Sequence, residues 1–142
     1  MLAFLFAALA GAAMSLQGVM NTRLSEKMGL MESNLYVQAT AAALSFIAML
    51  LFGKGRFGAI TQAPWYAWLG GLLGLGITVF VMLSLKGLST TVAISAILIA
   101  QLVTAALIDC FGWLGQEKLG MGWQQFVGVG LMLGGVILFK LK

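Results

Sequence analysis

The sequence predicts an all-α membrane protein of five transmembrane helices, and three observations carry that prediction. Of the 142 residues, 61% are hydrophobic and only 8% charged, against about 25% charged in soluble domains. Mean hydropathy is +1.04. The apolar residues gather into five runs, at about 2–20, 34–52, 65–85, 90–111 and 123–139, each close to the roughly 20 residues that cross a bilayer core. Lipid offers a backbone no hydrogen bonds, so such runs form helices. The alternation expected of transmembrane β-strands is missing. Residues 1–142 read as a single transmembrane domain.

The first span places Ala10, Met14, Gln17 and Asn21 on one helical face, at steps of three and four. Beside it runs a small-residue face of Gly11, Ser15, Gly18 and Thr22, which suits close helix packing in a membrane. Gln17 and Asn21 either bond neighbouring helices or line a cavity. Residues 21–32, with Arg23, Glu26, Lys27 and Glu32, read as a solvated amphipathic connector. Ser33 or Asn34 is then expected to cap the second span.

The second span carries a polar stripe of Asn34, Gln38, Ala41 and Ser45, which must face protein or water because lipid cannot satisfy it. A glycine-rich connector, residues 53–63, leads to Pro64 in the first turn of the third span. It lacks the spacing of a phosphate-binding loop. Trp65, Tyr66 and Trp68 match an interfacial aromatic belt. Gly70 and Gly74 follow as a GxxxG packing surface that Thr78 continues.

The link at residues 86–89 is short and predicts an antiparallel hairpin of spans three and four. Span four places Gln101, Thr104, Ala105, Ile108 and Asp109 on a broad face. Gln101 and Asp109 lie about 12 Å apart along the axis, at different depths of one expected pathway. Asp109 is the one acidic residue inside an apolar run. It is a gating or coupling candidate, with loop anchoring as the plainer alternative. Span five has Gly128, Gly130, Gly134 and Gly135 and, after Gln125, no polar side chain before Lys140. That pattern predicts helix association and not substrate contact.

Composition removes whole classes of chemistry. The chain has no histidine and one cysteine, Cys110, which excludes imidazole catalysis and an intrachain disulfide. No metal, cofactor or nucleic-acid partner is expected. The net charge of +4 comes from basic residues at the ends of apolar runs, where they set topology and contact the lipid bilayer. The first 20 residues lack a basic leader region and are expected to be a retained span. Arg23, Lys27, Lys86, Lys140 and Lys142 fall on one side, and Lys54, Arg56 and Lys118 on the other. The positive-inside rule places the C-terminus in the cytoplasm. So slight a bias also allows insertion in both orientations, and an odd span number lets two copies form inverted halves.

Several ordered strings carry a family resemblance: QGVMNTRL from Gln17, the PWYAWLGGLLG entry to span three, AQLVTAALIDCFGWLG in span four and GVGLMLGGVIL in span five. They resemble the drug/metabolite transporter superfamily, above all its half-size YdcZ-type branch of bacterial inner-membrane proteins. The resemblance implies five helices forming one half of an inverted-repeat transporter fold. It also implies pairing as an antiparallel homodimer or with a homologous half, and a central binding site. The last span is also similar to the dimerising last helix of small multidrug resistance proteins. Two departures stand out. The branch usually has Gly-Gln and Asp-His-Phe-Gly in span four, where this chain has Ala100-Gln101 and Asp109-Cys110-Phe111-Gly112. Small multidrug resistance proteins use a central glutamate in their first helix; span one offers Gln17, which exchanges no proton.

The expectation is a small secondary transporter, multi-pass in the inner membrane. Gln101, Gln17, Gln38, Asn21, Asn34 and Thr104 would line a midplane cavity for a small polar or weakly cationic metabolite, with Asp109 nearer a mouth. The alternative is a non-transporting membrane assembly subunit. An intramembrane enzyme is not expected, because the spans hold no paired acids and no Ser/Lys arrangement.

Overall fold

Five α-helices are joined by one break, at Gly29, and three connections, at residues 53–69, 88–89 and 112–122. The computed structural model describes residues 1–120 and 122–140. Lys142, counted above among the basic residues, lies outside the described residues. The α-helices are α1 (Leu2–Met28), α2 (Leu30–Phe52), α3 (Gly70–Gly87), α4 (Thr90–Phe111) and α5 (Trp123–Lys140), and no strand occurs among the described residues. Four segments are long and apolar enough to span a bilayer: Leu2–Met28, Leu30–Phe52, Trp65–Gly87 and Thr90–Phe111. Trp123–Phe139 is a shorter apolar helix. The chain divides into two compact units, Met1–Gly87 and Leu88–Lys142.

In the first unit, residues 21–32 are not the expected connector. α1 runs on through them to Met28, and α2 begins at Leu30. At 27 residues, α1 is about 40 Å long, against a hydrocarbon core of about 30 Å. Its charged end therefore continues as helix in water, where Arg23 Nη1 meets Glu26 Oε2 at 3.3 Å on the exposed surface. The break falls on Gly29 alone, at φ 99° and ψ 160°. An L-residue rarely adopts that conformation, and a Cβ there would strike the Glu32 carboxylate. Gly29 therefore takes the N-cap position of α2, and neither Ser33 nor Asn34 caps it. Both are buried one turn further in.

The buried side chains of this unit are mostly polar: Asn21, Thr22, Ser25, Ser33 and Asn34 join Val79 and Met82. Large apolar side chains such as Leu5, Phe46 and Leu72 point outward. Leaving lipid for protein gains an apolar side chain little, so small residues and hydrogen bonds decide which faces meet. Thr22 Oγ1 donates to the Gly18 carbonyl and Ser25 Oγ to the Thr22 carbonyl, each at 2.8 Å. Ser33 Oγ donates to Met82 Sδ at 3.3 Å, tying α2 to α3. Gly18 fixes the approach of α1 to α3, since a Cβ there would lie 3.0 Å from Val81 Cγ1 and 3.1 Å from Leu85 Cδ1.

The segment before α3 is tighter than an α-helix. Pro64 caps a 3₁₀ turn over Trp65–Leu69, and α-helix begins only at Gly70. Trp68 Nε1 donates to the Ile60 carbonyl at 3.2 Å. That bond pins the turn to the preceding 3₁₀ segment, Phe57–Gln62.

In the second unit, α4 ends at Gly112, whose left-handed φ of 66° lets its N–H reach the Ile108 carbonyl. The loop then folds back, and the Leu119 N–H donates to the Asp109 carbonyl at 2.8 Å. Phe111 and Trp113 stack at 5.2 Å over the corner. Gln125 Oε1 accepts from the Gly122 N–H. A side chain three residues inside a helix thus satisfies the capping residue's donor, as in a capping box.

The Gly18 contact generates a prediction. Gly18→Ile overpacks the α1–α3 seam and lowers unfolding stability in mild detergent by about 1–3 kcal/mol. Gly11→Ile, where a Cβ meets nothing within 4 Å, shifts it by less than about 0.5 kcal/mol. Equal losses at the two positions would contradict the tight seam.

Candidate functional site

The polar residues of the first unit converge on α3. A groove between α1 and α3 is lined by Met14, Gln17, Gly18, Asn21, Ile77, Thr78 and Val81. Helical spacing puts Gln17 and Asn21 on one face of α1, and the side-chain-free surface of Gly18 lets α3 close against it. Thr78 Oγ1 donates to the Gly74 carbonyl at 2.9 Å. Gln38 approaches the same place from α2, its Nε2 3.8 Å from where a Gly74 Cβ would sit. Two carboxamides and a hydroxyl thus share the groove, and a third amide reaches the glycine beside it.

The groove measures about 50 Å³. That admits water, which needs roughly 10–15 Å³, but lies well below the roughly 300–1,000 Å³ of ordinary ligand pockets. Gln17 is exposed, Gln38 half-buried and Asn21 buried. Asn34 is only 3% exposed, and its Oδ1 has no hydrogen-bond partner among the described residues. Asn34 does not line the groove. Asn21 and Asn34 lie about 12 and about 8 Å along their helices from the Gly29 break, and Gln17 about 18 Å. Gln17 is the deepest of the three, and the two asparagines sit towards the hairpin end.

Gln101, Thr104 and Asp109 belong to the second unit. Gln101 is exposed in the middle of α4. Thr104 is exposed too, and its hydroxyl donates to the Ala100 carbonyl at 2.8 Å. Asp109 is exposed and lines a larger cavity, about 490 Å³, between α4 and α5. Gln101 does not line that cavity. Eight helical residues return a side chain about 80° away from its starting direction, so the two lie on neighbouring faces.

Gln125, Gly128, Val129 and Met132 form the α5 wall of the α4–α5 cavity. A Cβ added at Gly70, Gly128, Gly130, Gly134 or Gly135 would meet nothing within 4 Å, so these glycine faces are open in the single chain. Thr78 lines the α1–α3 groove and Gln125 the α4–α5 cavity, and neither was among the site candidates drawn from the sequence. Thr78 was legible as the continuation of the Gly74 face. Gln125 was legible as the third residue after Gly122, where a capping amide belongs. Among the described residues no three histidine, cysteine or acidic side chains gather to hold a metal.

No curated protein and no solved structure matches the chain. The family model described as "Putative inner membrane exporter, YdcZ" matches residues 2–138. That match covers nearly the whole chain, and it agrees with the four apolar segments long enough to span a bilayer. The chain is a multi-pass inner-membrane protein and belongs to the YdcZ family.

Proposed function

We propose that the chain is one half of a secondary exporter. In this reading it works as an antiparallel homodimer or with a homologous half, and it moves a small polar or weakly cationic metabolite past an amide-lined centre. The observation that carries the reading is the exposure of Gln17 and Gln101 well inside long apolar helices. Hydrocarbon cannot satisfy a carboxamide, so these faces require cover by protein or a water-filled path. The α1–α3 groove supports the same conclusion by its size. It is large enough for water, and a substrate-sized cavity needs walls from elsewhere.

Gln17, Asn21 and Gln38 offer both donors and acceptors, which suits a substrate with hydroxyl, amide or ammonium groups. Gln101 and Thr104 on α4 are further candidates, and Asn34 supplies a buried acceptor near the hairpin end. The open glycine faces at Gly70 on α3, and at Gly128, Gly130, Gly134 and Gly135 on α5, offer surfaces on which a second half can pack closely; Gly74 on α3 is partly covered by Gln38. Asp109 remains the gating or coupling candidate.

Two measurements check this. A thermal-stabilisation screen of small metabolites on the purified protein selects a ligand, since binding the native state alone raises its melting temperature. Efflux of that ligand from proteoliposomes is expected to fall about tenfold in Gln17→Ala and in Gln101→Ala, the loss of one hydrogen bond each. Unchanged efflux removes the amides from the pathway. Separately, reporter fusions at the C-terminus are expected to reveal both orientations in comparable amounts. A single orientation in every molecule overturns the antiparallel homodimer and leaves pairing with a homologous half.

A further inference from the structure

The cavity between α4 and α5 has a property that the transport reading does not use. Its polarity is graded along its length. At one end stand the carboxylate of Asp109 and the amide of Gln125, and from there the walls become wholly apolar through Ala106 and Leu102 on α4 and Met132 on α5. Seven helical residues separate Leu102 from Asp109, about 10 Å of depth. Asp109 lies two residues before the end of α4, so the charged end is the membrane-surface end.

The carboxylate is available. The ion pair found among the described residues is Arg23 with Glu26, far along the chain from Asp109. The Leu119 N–H bonds the backbone carbonyl of Asp109, which holds the loop beside the mouth and leaves the carboxylate free. Gln125 Oε1 already accepts from the Gly122 N–H, and its NH₂ has no partner among the described residues and can serve a ligand. At about 490 Å³ the cavity falls within the range of small-molecule sites.

We propose that this cavity binds an amphiphilic ammonium compound, the cationic head against Asp109 and the apolar body between α4 and α5. A negative charge at the rim of a low-dielectric slot attracts a cation more strongly than the same charge in open water. The apolar walls reject a ligand that is charged along its whole length. The same chemistry describes a free organic ammonium and the amine head of a phospholipid. The site lies wholly within residues 88–142, and binding to it requires neither a second half nor flux, so its failure leaves the transport reading untouched.

The test uses the full chain purified in nonionic detergent. Benzyltrimethylammonium is titrated by equilibrium dialysis beside phenylmethanesulfonate, a similar body of opposite charge. The cation is expected to bind saturably, about tenfold more weakly in Asp109→Asn, and with affinity largely kept in Asp109→Glu. Ala106→Phe fills the slot beneath an intact carboxylate and is expected to abolish binding. Circular-dichroism melting verifies that each variant is folded. Dihexanoylphosphatidylethanolamine is titrated in the same way, and the tighter of the two Asp109-dependent ligands identifies the source. Equal binding of the sulfonate, an unchanged affinity in folded Asp109→Asn, or no binding of either ammonium overturns the proposal.

Discussion

Hydrocarbon cannot accept or donate a hydrogen bond, and the arrangement of this chain follows from that constraint. In water the driving force buries apolar surface; in lipid it has nothing to act on between helices. The first unit is accordingly turned inside out. Asn21, Thr22, Ser25, Ser33 and Asn34 are buried, while Leu5, Phe46 and Leu72 face outward. Hydroxyls that find no partner across a helix seam bond back to their own helix, as Thr22, Ser25 and Thr78 do. The α1–α3 seam rests on the missing side chain of Gly18 and on no interlocking of large apolar residues.

The same constraint marks what remains unsatisfied in a single chain. Gln17 and Gln101 lie exposed within apolar helices. They point to surfaces that something other than lipid must cover. The glycines of α5 lie in open space and are shaped for close approach. In the proposed reading, a transporter assembled from two such halves accounts for both features.

The four segments long and apolar enough to span a bilayer were legible because composition decides them: a run such as residues 90–111 forms a helix in a bilayer. The α1–α2 boundary was not. The charged stretch at residues 21–32 reads as a solvated turn, but a helix that has left the bilayer costs nothing to continue in water, so only Gly29 breaks it. Glycine periodicity was legible as smallness and could not tell which faces are covered. Gly18 packs tightly and Gly70 does not, because contact depends on the neighbouring helix. Gln101 and Asp109 both stand out against the apolar residues of α4, and helical periodicity within α4 cannot reveal that α5 walls a cavity beside Asp109 and not beside Gln101. Convergence of Gln17, Asn21 and Gln38 on the Gly74–Thr78 stretch depended in the same way on how three helices pack.

The central claim is that the amides exposed within apolar helices face a path completed by a second half and not lipid. A spin label at Gln101→Cys, in a Cys110→Ser background reconstituted in bilayers, tests it most directly by its accessibility to a water-soluble relaxing agent and to oxygen. The account predicts that the water-soluble agent relaxes the label at position 101 clearly more than a label at Leu131, an outward-facing apolar residue. Relaxation by oxygen alone, indistinguishable from that at Leu131, would place Gln101 in lipid and contradict the account.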